Sequence, residues 1–303
     1  MPSILITGAA GFLGSHCLKK FKKEGFEVIS TDSQEVADIV GNLCSRSFVK
    51  SLPQVDIVLN CAAVQYVTKQ KPILRTKFFY KNNVISAKNL AERYKNVSHF
   101  IHVGTSMMYQ MSENDLLEST QFQGNGIYSI SKCDAQRYIE EIPNSATVIP
   151  CIIGGPGREG LFKAFVKMIE NFPIVIVPGD GAKPIHMVHV EDVVELIFLI
   201  SRKKALGSFN AASTSPLSIN EWIKVIALRF GKPTPKCFHI PVNLLRAVSA
   251  STGYRLLARE QILMLEHRHV LSINKSIKIG WAPKYSNVEI AEQIASHIRD
   301  KYA

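Results

Sequence analysis

The chain has 303 residues, 46% of them hydrophobic and 20% charged, with a formal net charge of +11. This balance is typical of globular proteins and excludes wholesale disorder. The most apolar later stretch, residues 193–200, is short and contains Glu195, so it cannot span a bilayer. No secretory apolar segment precedes the first predicted strand, so we expect neither a membrane protein nor a secreted one.

In the first half of the chain, short runs rich in β-branched residues alternate with segments of helical periodicity. This alternation predicts right-handed βαβ units, and therefore an α/β protein with a doubly wound parallel sheet of the Rossmann type. From about residue 155, glycine and proline become frequent and helices predominate, which indicates a smaller, helix-rich second domain. The predicted strands are 4–7, 27–31, 57–61, 100–103 and 147–153, and the predicted helices are 13–23, 80–94, 129–141, 160–171, 191–201, 218–230, 242–250 and 287–301.

Six cysteines lie far apart, without a Cys-x-x-Cys pair or a cluster of Cys and His residues. Such spacing is typical of reduced thiols in the cytoplasm and gives no support for a structural metal. Histidines at positions 186, 189, 267 and 269 also lack the arrangement of metal ligands. We therefore expect a cytoplasmic protein without a metal ion.

A glycine-rich turn follows the first predicted strand and opens the first predicted helix. Its spacing is Gly-x-x-Gly-x-x-Gly. Glycines allow the tight turn and let backbone N–H groups approach a pyrophosphate at the helix N-terminus, where the helix dipole favours negative charge. The context of strand, turn and helix is the one that a dinucleotide-binding motif needs. The predicted cofactor-binding residues of the turn are Gly8, Ala10, Gly11, Phe12, Leu13 and Gly14.

Asp32 lies directly after the second predicted strand. A carboxylate there can accept hydrogen bonds from the two adenosine ribose hydroxyls, and it would repel a 2′-phosphate. No basic residue follows until Arg46. The sequence therefore favours NAD over NADP as the cofactor.

Tyr128 and Lys132 form a Tyr-x-x-x-Lys motif on a predicted helix. Residues four apart share one helix face, so both side chains would point into one site. A cation beside a phenol favours the phenolate, which predicts a pKa lowered from about 10 toward neutrality. Tyr128 would then take a proton from a substrate hydroxyl while a hydride leaves the same carbon for the cofactor, or run the reverse.

The motifs occur in the order of one known family. After the glycine turn come Asn60-Cys61-Ala62-Ala63, a helix with Asn83, the stretch Gly104-Thr105-Ser106-Met107-Met108-Tyr109, and the motif of Tyr128 and Lys132. Together they resemble the extended short-chain dehydrogenases/reductases, also called NAD-dependent epimerases/dehydratases. The resemblance covers nearly the whole chain, and the motifs are far more specific together than singly.

The resemblance implies roles for individual residues. Thr105 corresponds to the hydroxyl that hydrogen-bonds the substrate oxygen, and its neighbour Ser106 is the alternative. Asn83 corresponds to a residue that acts through structure, by holding a helix distortion and a water near Lys132. Besides the glycine turn and Asp32, the implied cofactor contacts are Asn42, Leu43, Cys61, Ala62, Ala63 and Lys132.

The resemblance also implies an activity and an organisation. The expected enzyme is an NAD-dependent oxidoreductase that epimerises or dehydrates by hydride transfer at a secondary alcohol or ketone, most simply of a nucleotide-diphosphate sugar. Residues 1–155 and about 186–212 would form the NAD-binding Rossmann domain, and about 156–185 with 213–303 the substrate-binding domain. The helices near 80–94 and 129–141 would pair with those of a second copy to form a homodimer.

Ile185 departs from the family pattern. It occupies the place of an arginine that, in members acting on nucleotide sugars, clamps the substrate diphosphate, and a bidentate guanidinium is hard to replace. One alternative is therefore a reductase or dehydrogenase similar to 3β-hydroxysteroid dehydrogenase, with an apolar alcohol or ketone against the apolar stretch 240–248. For a nucleotide sugar, another cation would have to replace the arginine, and the candidates are Arg158, Lys163, Arg255 and Arg259.

A second alternative is a catalytically idle NAD-binding module that contacts RNA or protein. Between residues 57 and 112, basic side chains at 69, 71, 75, 77, 81, 88, 93 and 95 stand against the single acid Glu92. Such a run is usually a solvated helix face, and idle relatives normally lose the Tyr or the Lys of the motif. Because Thr105, Tyr128 and Lys132 are all present, we expect an enzyme with a small-molecule substrate rather than a nucleic acid partner.

Overall fold

A computed structural model of the protein describes residues 1–65, 71–159, 161–254 and 257–302. In chain order its strands are β1 (Ser3–Thr7), β2 (Glu27–Asp32), β3 (Ile39–Val40), β4 (Ile57–Asn60), β5 (His99–Val103), β6 (Ser145–Pro150), β7 (Ile152–Gly154), β8 (Ile174–Pro178), β9 (Met187–His189), β10 (Gly207–Ala211) and β11 (Lys236–Ile240). Seven of them form one parallel sheet in the order β10-β6-β5-β4-β1-β2-β3. The winding reverses between β1 and β4, as in a Rossmann fold.

Helices cover both faces of this sheet. They are α1 (Phe12–Lys23), α2 (Arg46–Ser51), α3 (Pro72–Phe79), α4 (Ser86–Arg93), α5 (Ile127–Glu140), α6 (Leu161–Asn171), α7 (Val190–Lys203), α8 (Ile219–Arg229), α9 (Val242–Ser251), α10 (Arg259–Glu266), α11 (Asn274–Lys278) and α12 (Asn287–Tyr302). Helices α1 and α7 lie on one face, and α2, α4 and α5 lie on the other. Among the residues that the structure describes, no helix is long and apolar enough to cross a membrane.

The apolar character of β1 explains how two helical layers share one sheet. Successive side chains of a strand point to opposite faces. Ile4 and Ile6 pack into the core with Phe21 of α1, whereas Leu5 packs with Leu90 of α4 and Ala135 of α5. Because both faces are covered, all three strand residues are fully buried.

The later part of the chain has a core of its own. Helices α6, α8 and α12 enclose Val166, Trp222 and Ile294. Two small parallel sheets, β8 with β11 and β7 with β9, accompany these helices. The second half is thus rich in helices as predicted, but it also contains strands that the sequence pattern did not reveal.

The predicted strand 147–153 is wrong as a single element. Strand β6 ends at Pro150 after pairing with β5 and β10, and β7 begins at Ile152 and pairs with β9. Cys151 lies between them and donates its N–H to Ala211 O at 3.1 Å. The chain therefore leaves the main sheet at this residue, although its apolar run continues without interruption.

Asp192 of α7 joins the two parts of the chain. Its buried carboxylate accepts backbone hydrogen bonds from Lys284 N at 2.9 Å and Tyr285 N at 3.1 Å. Its carbonyl oxygen accepts a third, from Trp281 Nε1 at 2.9 Å. The carboxylate thus satisfies two backbone donors of the segment that leads into α12.

We expect Asp192→Ala to lower the free energy of unfolding by about 2 kcal/mol, because two backbone N–H groups lose their buried carboxylate acceptor. Glu195→Ala on the same helix is the matched control, since Glu195 forms a half-exposed ion pair with Lys20 at 2.7 Å. That loss should be about 1 kcal/mol or less. Urea unfolding measures both values, and equal losses would contradict the assigned role of Asp192.

Candidate active site

The predicted site residues gather at the carboxyl ends of β1, β4 and β5, where the winding of the sheet reverses. In open α/β sheets this edge is where ligands bind. Thr7 and Asn60 end two adjacent strands, and their side chains meet, with Thr7 Oγ1 donating to Asn60 Oδ1 at 2.7 Å. This contact joins the glycine turn to the segment that follows β4.

The glycine turn depends on close backbone approach. Gly8 has a φ of +67°, and a Cβ there would lie 2.7 Å from Ala62 Cα and N. A Cβ on Gly14 would overlap the carbonyl oxygen of Gly8. Gly11 precedes α1 as its N-cap and has no side chain to occupy the first N–H groups of the helix. These features suit a phosphate at the helix N-terminus.

Asp32 lies beside this turn. One carboxylate oxygen accepts a hydrogen bond from Ala10 N at 3.0 Å, and the other accepts one from Gln34 N at 3.2 Å. The acid is therefore fixed next to the turn. Farther along, Asn42 uses its Oδ1 to accept from Cys44 N at 2.9 Å, and Leu43 O accepts from Asn89 Nδ2 at 2.9 Å.

The segment after β4 leads from the cofactor turn toward the predicted acid–base residue. Cys61, Ala62 and Val64 are half-buried, and Ala63 is exposed. Ala62 N donates to Asn60 Oδ1 at 3.2 Å. The predicted cofactor contacts of this segment thus line the path between the two motifs.

Asn83 lies in a wide, π-helical turn, Tyr80–Ile85, between α3 and α4. Its amide accepts from Val64 N at 2.8 Å and donates to Val64 O at 3.1 Å and to Ser131 Oγ at 2.9 Å. The side chain therefore links the segment after β4 to α5. The resemblance implied a helix distortion at Asn83, and the structure has a π-helical turn at this position.

Tyr128 lies in the first turn of α5 and is buried. The side chain of Thr105 lies near the Tyr128 hydroxyl, and Gln65 Nε2 lies 3.4 Å from it. Burial raises the pKa of Tyr128, and the hydrogen bonds with Gln65 and Thr105 oppose that rise only in part. The sequence prediction of a lowered pKa is therefore wrong for this arrangement, because desolvation of the phenolate outweighs the neighbouring donors and cations.

Lys132, one turn further along α5, is buried as well. Its Nζ donates to Val103 O at 2.8 Å and lies 3.2 Å from His102 Nε2. Burial lowers the pKa of Lys132 to about 8, and burial together with the Lys132 charge holds the pKa of His102 well below its ordinary value. Because Lys132 lies four residues after Tyr128 on the same helix, its amine contacts the end of β5 at Val103.

Ser106 lies beside Thr105 but has a different partner. Thr105 precedes the short helical turn Ser106–Met108. The buried Ser106 hydroxyl lies 2.7 Å from Nε2 of His269, which belongs to the C-terminal part of the chain. Of the two predicted hydroxyls, the structure brings Thr105 to Tyr128 and joins Ser106 to His269.

Glu260 is a neighbour of the site that the sequence analysis did not identify. This buried carboxylate, on α10, accepts hydrogen bonds from Tyr128 N at 3.0 Å and Ser129 N at 3.1 Å. A side chain at Gly126 would collide with it. The acid thus caps the helix that carries Tyr128 and Lys132, a favourable place for negative charge.

Ile185 lies in the interior rather than facing a ligand. It is buried, and its N–H donates to Leu217 O at 3.0 Å. Of the cations that could replace the family arginine, Arg158 donates to Gln65 Oε1 at 3.1 Å, and Lys163 Nζ lies 3.3 Å from the centre of the Tyr302 ring. Arg259 is exposed at the start of α10. Arg255, like Lys69 of the basic region, lies outside the described residues.

The family model of the NAD dependent epimerase/dehydratase family matches residues 4–212. The chain belongs to this family. Protein CapI of Staphylococcus aureus is 25% identical over 288 residues, which cover 77% of this chain and 85% of CapI. A dTDP-D-glucose 4,6-dehydratase of Dictyostelium discoideum is 25% identical over 253 residues, which cover 68% of this chain and 56% of the dehydratase.

The fold agrees with this membership. The solved structure of UDP-glucuronic acid 4-epimerase from Bacillus cereus, in complex with UDP-glucuronic acid and NAD, superposes with a TM-score of 0.80 at 19% identity, covering 99% of this chain and 100% of that one. The predicted family and the predicted Rossmann-type parallel sheet are confirmed. The protein is an NAD-dependent enzyme of the short-chain dehydrogenase/reductase type.

Proposed function

We propose that the protein epimerises or dehydrates a nucleotide-diphosphate sugar by NAD-dependent hydride transfer at a secondary alcohol or ketone. The observation that carries the proposal is that the side chains of Tyr128 and Thr105 lie together near the ligand-binding edge of the sheet, where the glycine turn follows β1. The substrate class is supported by relatives such as the dTDP-D-glucose dehydratase and by the epimerase solved with UDP-glucuronic acid. The net charge of +11 suits an anionic substrate.

The residues at the strand ends fit NAD. The space that a Cβ would fill at Gly8 and Gly14 is taken by backbone, so the tight turn that would bind the pyrophosphate requires glycine at both positions. Asp32 is fixed beside Ala10, where its carboxylate would accept the ribose hydroxyls. Lys132 would be a further cofactor contact. When bound, NAD supplies the acceptor for hydride at the reacting carbon.

Tyr128 and Thr105 would both take part in the proton transfer. The raised pKa leaves Tyr128 protonated near neutral pH, so in this arrangement it is ready to donate to a carbonyl oxygen of the substrate. Thr105 would hold that same oxygen. Alcohol oxidation needs the reverse transfer, and it becomes easier as groups that stabilise the phenolate act on Tyr128.

A specific observation favours one alternative. Ile185 is buried and uncharged, and α9 exposes the apolar side chains Leu244 and Val248. Both features suit a dehydrogenase or reductase of an apolar alcohol or ketone, similar to 3β-hydroxysteroid dehydrogenase. Such an enzyme consumes NAD stoichiometrically, whereas an epimerase or dehydratase regenerates it and need not release it.

Three further proposals follow from the sequence. We propose that residues 1–155 and 186–212 serve cofactor binding and that 156–185 and 213–303 serve the substrate, which is supported by β10 lying in the main sheet. We also propose a cytoplasmic location, supported by six cysteines that are all free thiols. The third is a homodimer, supported by exposed Ile127 and Ile130 on α5 and exposed Tyr80 on the preceding helical segment.

The cofactor carried through purification discriminates between these functions. We expect mild acid denaturation of the fresh protein to release NAD in close to one-to-one ratio, as measured by mass spectrometry. An empty site that binds NAD and NADH reversibly would point instead to the dehydrogenase of apolar alcohols. A protein that binds neither form would overturn both enzyme functions.

We expect Tyr128→Phe to reduce turnover of sugar nucleotides at least a hundredfold, because general acid–base catalysis is lost, and to spare NAD binding. Tyr138→Phe is the matched control, since Tyr138 is a half-buried tyrosine of the same helix whose ring lies under Lys88. Kinetic assays and calorimetric NAD titration measure the two effects. Full activity in Tyr128→Phe would remove Tyr128 from the chemistry.

We expect sedimentation at micromolar concentration to give twice the chain mass of 33.7 kDa. Ile130→Asp should shift the species toward monomer, because it buries a charge in the proposed interface. Leu228→Asp changes another exposed apolar residue, on α8, and should leave the dimer intact. A wild-type protein that sediments only as monomer contradicts the homodimer.

A further inference from the structure

Gln65 connects Arg158 to the phenol of Tyr128. Its Oε1 accepts a hydrogen bond from Arg158 Nη2 at 3.1 Å, and its Nε2 lies 3.4 Å from the Tyr128 hydroxyl. None of the motifs singled out in the sequence contains Gln65. The chain of contacts nevertheless ends on the atom that would exchange a proton with the substrate.

The arginine decides which way the Gln65 amide points. A guanidinium has donors only, so the atom that faces Arg158 must be the carbonyl oxygen. The NH₂ group then faces Tyr128 and donates to its oxygen. Without Arg158 the amide could rotate by half a turn and present an acceptor, which would stabilise the neutral phenol instead.

Arg158 is itself held from two sides. Its guanidinium carbon lies 5.6 Å from the centre of the Phe12 ring, in the glycine turn. Its backbone N–H donates to Gly155 O at 3.1 Å. Gly155 and Gly157 have φ values of +131° and +88°, a backbone path that other residues rarely adopt. The arginine is thus fixed by the segment that leaves the main sheet.

The charged groups around Tyr128 have opposite effects on its phenolate. Arg158 favours the phenolate, and Glu260, which caps the same helix, disfavours it. Lys132, the cation of the family motif, donates to Val103 O in the structure. A hydrogen bond from Gln65 adds stabilisation of the phenolate directly at its oxygen.

We propose that Gln65 is a catalytic residue that donates a hydrogen bond to the Tyr128 oxygen during proton transfer, and that Arg158 is a positioning residue that keeps Gln65 in the donating orientation. The inference rests on the proposed function for its catalytic meaning. The part of the inference that says Arg158 acts on Tyr128 through Gln65 can be tested without measuring turnover.

The test uses a fluorinated tyrosine placed at position 128 in the full-length protein and a ¹⁹F NMR titration of its hydroxyl. We expect Gln65→Leu to raise the pKa of this tyrosine by about one unit, because the phenolate loses a donor. Arg158→Met should raise it in the same direction, and Arg158→Lys, which keeps a donor toward Gln65, should restore part of the shift. Thermal melting of each variant shows that the fold is retained.

The decisive comparison is the double variant. If Arg158 acts through Gln65, Arg158→Met in the Gln65→Leu background should add much less than it does alone. Gln121→Leu and Arg137→Met, at exposed positions, are the matched controls and should leave the titration unchanged. An unchanged pKa in Gln65→Leu, or fully additive shifts, would overturn the proposal.

The same variants separate this inference from the proposed function. With an active substrate, Gln65→Leu should lower kcat for alcohol oxidation about tenfold with little change in KM, and shift the kcat profile to higher pH. If no sugar nucleotide is turned over, the proposed substrate fails while the NMR result stands. If turnover is found but kcat is unaffected in Gln65→Leu, the catalytic role of Gln65 fails alone.

Discussion

The site depends on how closely the backbone after β1 approaches the backbone after β4. Gly8 leaves no room for a side chain because Ala62 occupies that space, and Thr7 and Asn60 lock the two strand ends together. A residue with a Cβ at Gly8 would push the two segments apart. This change would shift the glycine turn and the segment 60–65. Through Gln65 it would also shift the phenol of Tyr128. One steric constraint therefore sets the distance between the glycine turn and the segment that leads to Tyr128.

From this junction a buried polar chain leads to the motif lysine. Asn60 Oδ1 accepts from Thr7 and from Ala62 N, so its NH₂ group faces His102 Nδ1 at 3.1 Å. His102 must then carry its proton on Nε2, which faces Lys132 at 3.2 Å. An N–H in that place favours the neutral amine, in the same direction as burial, which lowers the pKa of Lys132 to about 8. A chain of hydrogen bonds thus connects the end of β1 to the amine of Lys132.

The sequence predicts the elements of this site whose spacing is local. The residues of the glycine turn are close together in the sequence, and Tyr128 and Lys132 lie on one helix. Residue type and spacing are therefore enough to identify both motifs. The split of the predicted strand at Cys151 could not be foreseen, because the apolar run is continuous and only the pairing partner changes. The long-range contacts were equally hidden. Glu260 lies 132 residues from Tyr128 and His269 lies 163 from Ser106, and each looks like an ordinary polar residue in its own segment.

These distant contacts show that the C-terminal part of the chain helps to build the candidate site. Glu260 caps α5 at Tyr128, and His269 engages the hydroxyl next to Thr105. Burial pushes both reactive groups toward their neutral forms, raising the pKa of Tyr128 and lowering that of Lys132. A neutral phenol beside a lysine whose pKa is lowered to about 8 is suited to giving a proton to a ketone. To take one from an alcohol, it needs donors at the phenol oxygen itself, because a cation that is engaged elsewhere offsets little of the desolvation cost. Thr105 and Gln65 are in contact with that oxygen, and the reversibility that epimerisation requires would rest on them more than on the motif lysine.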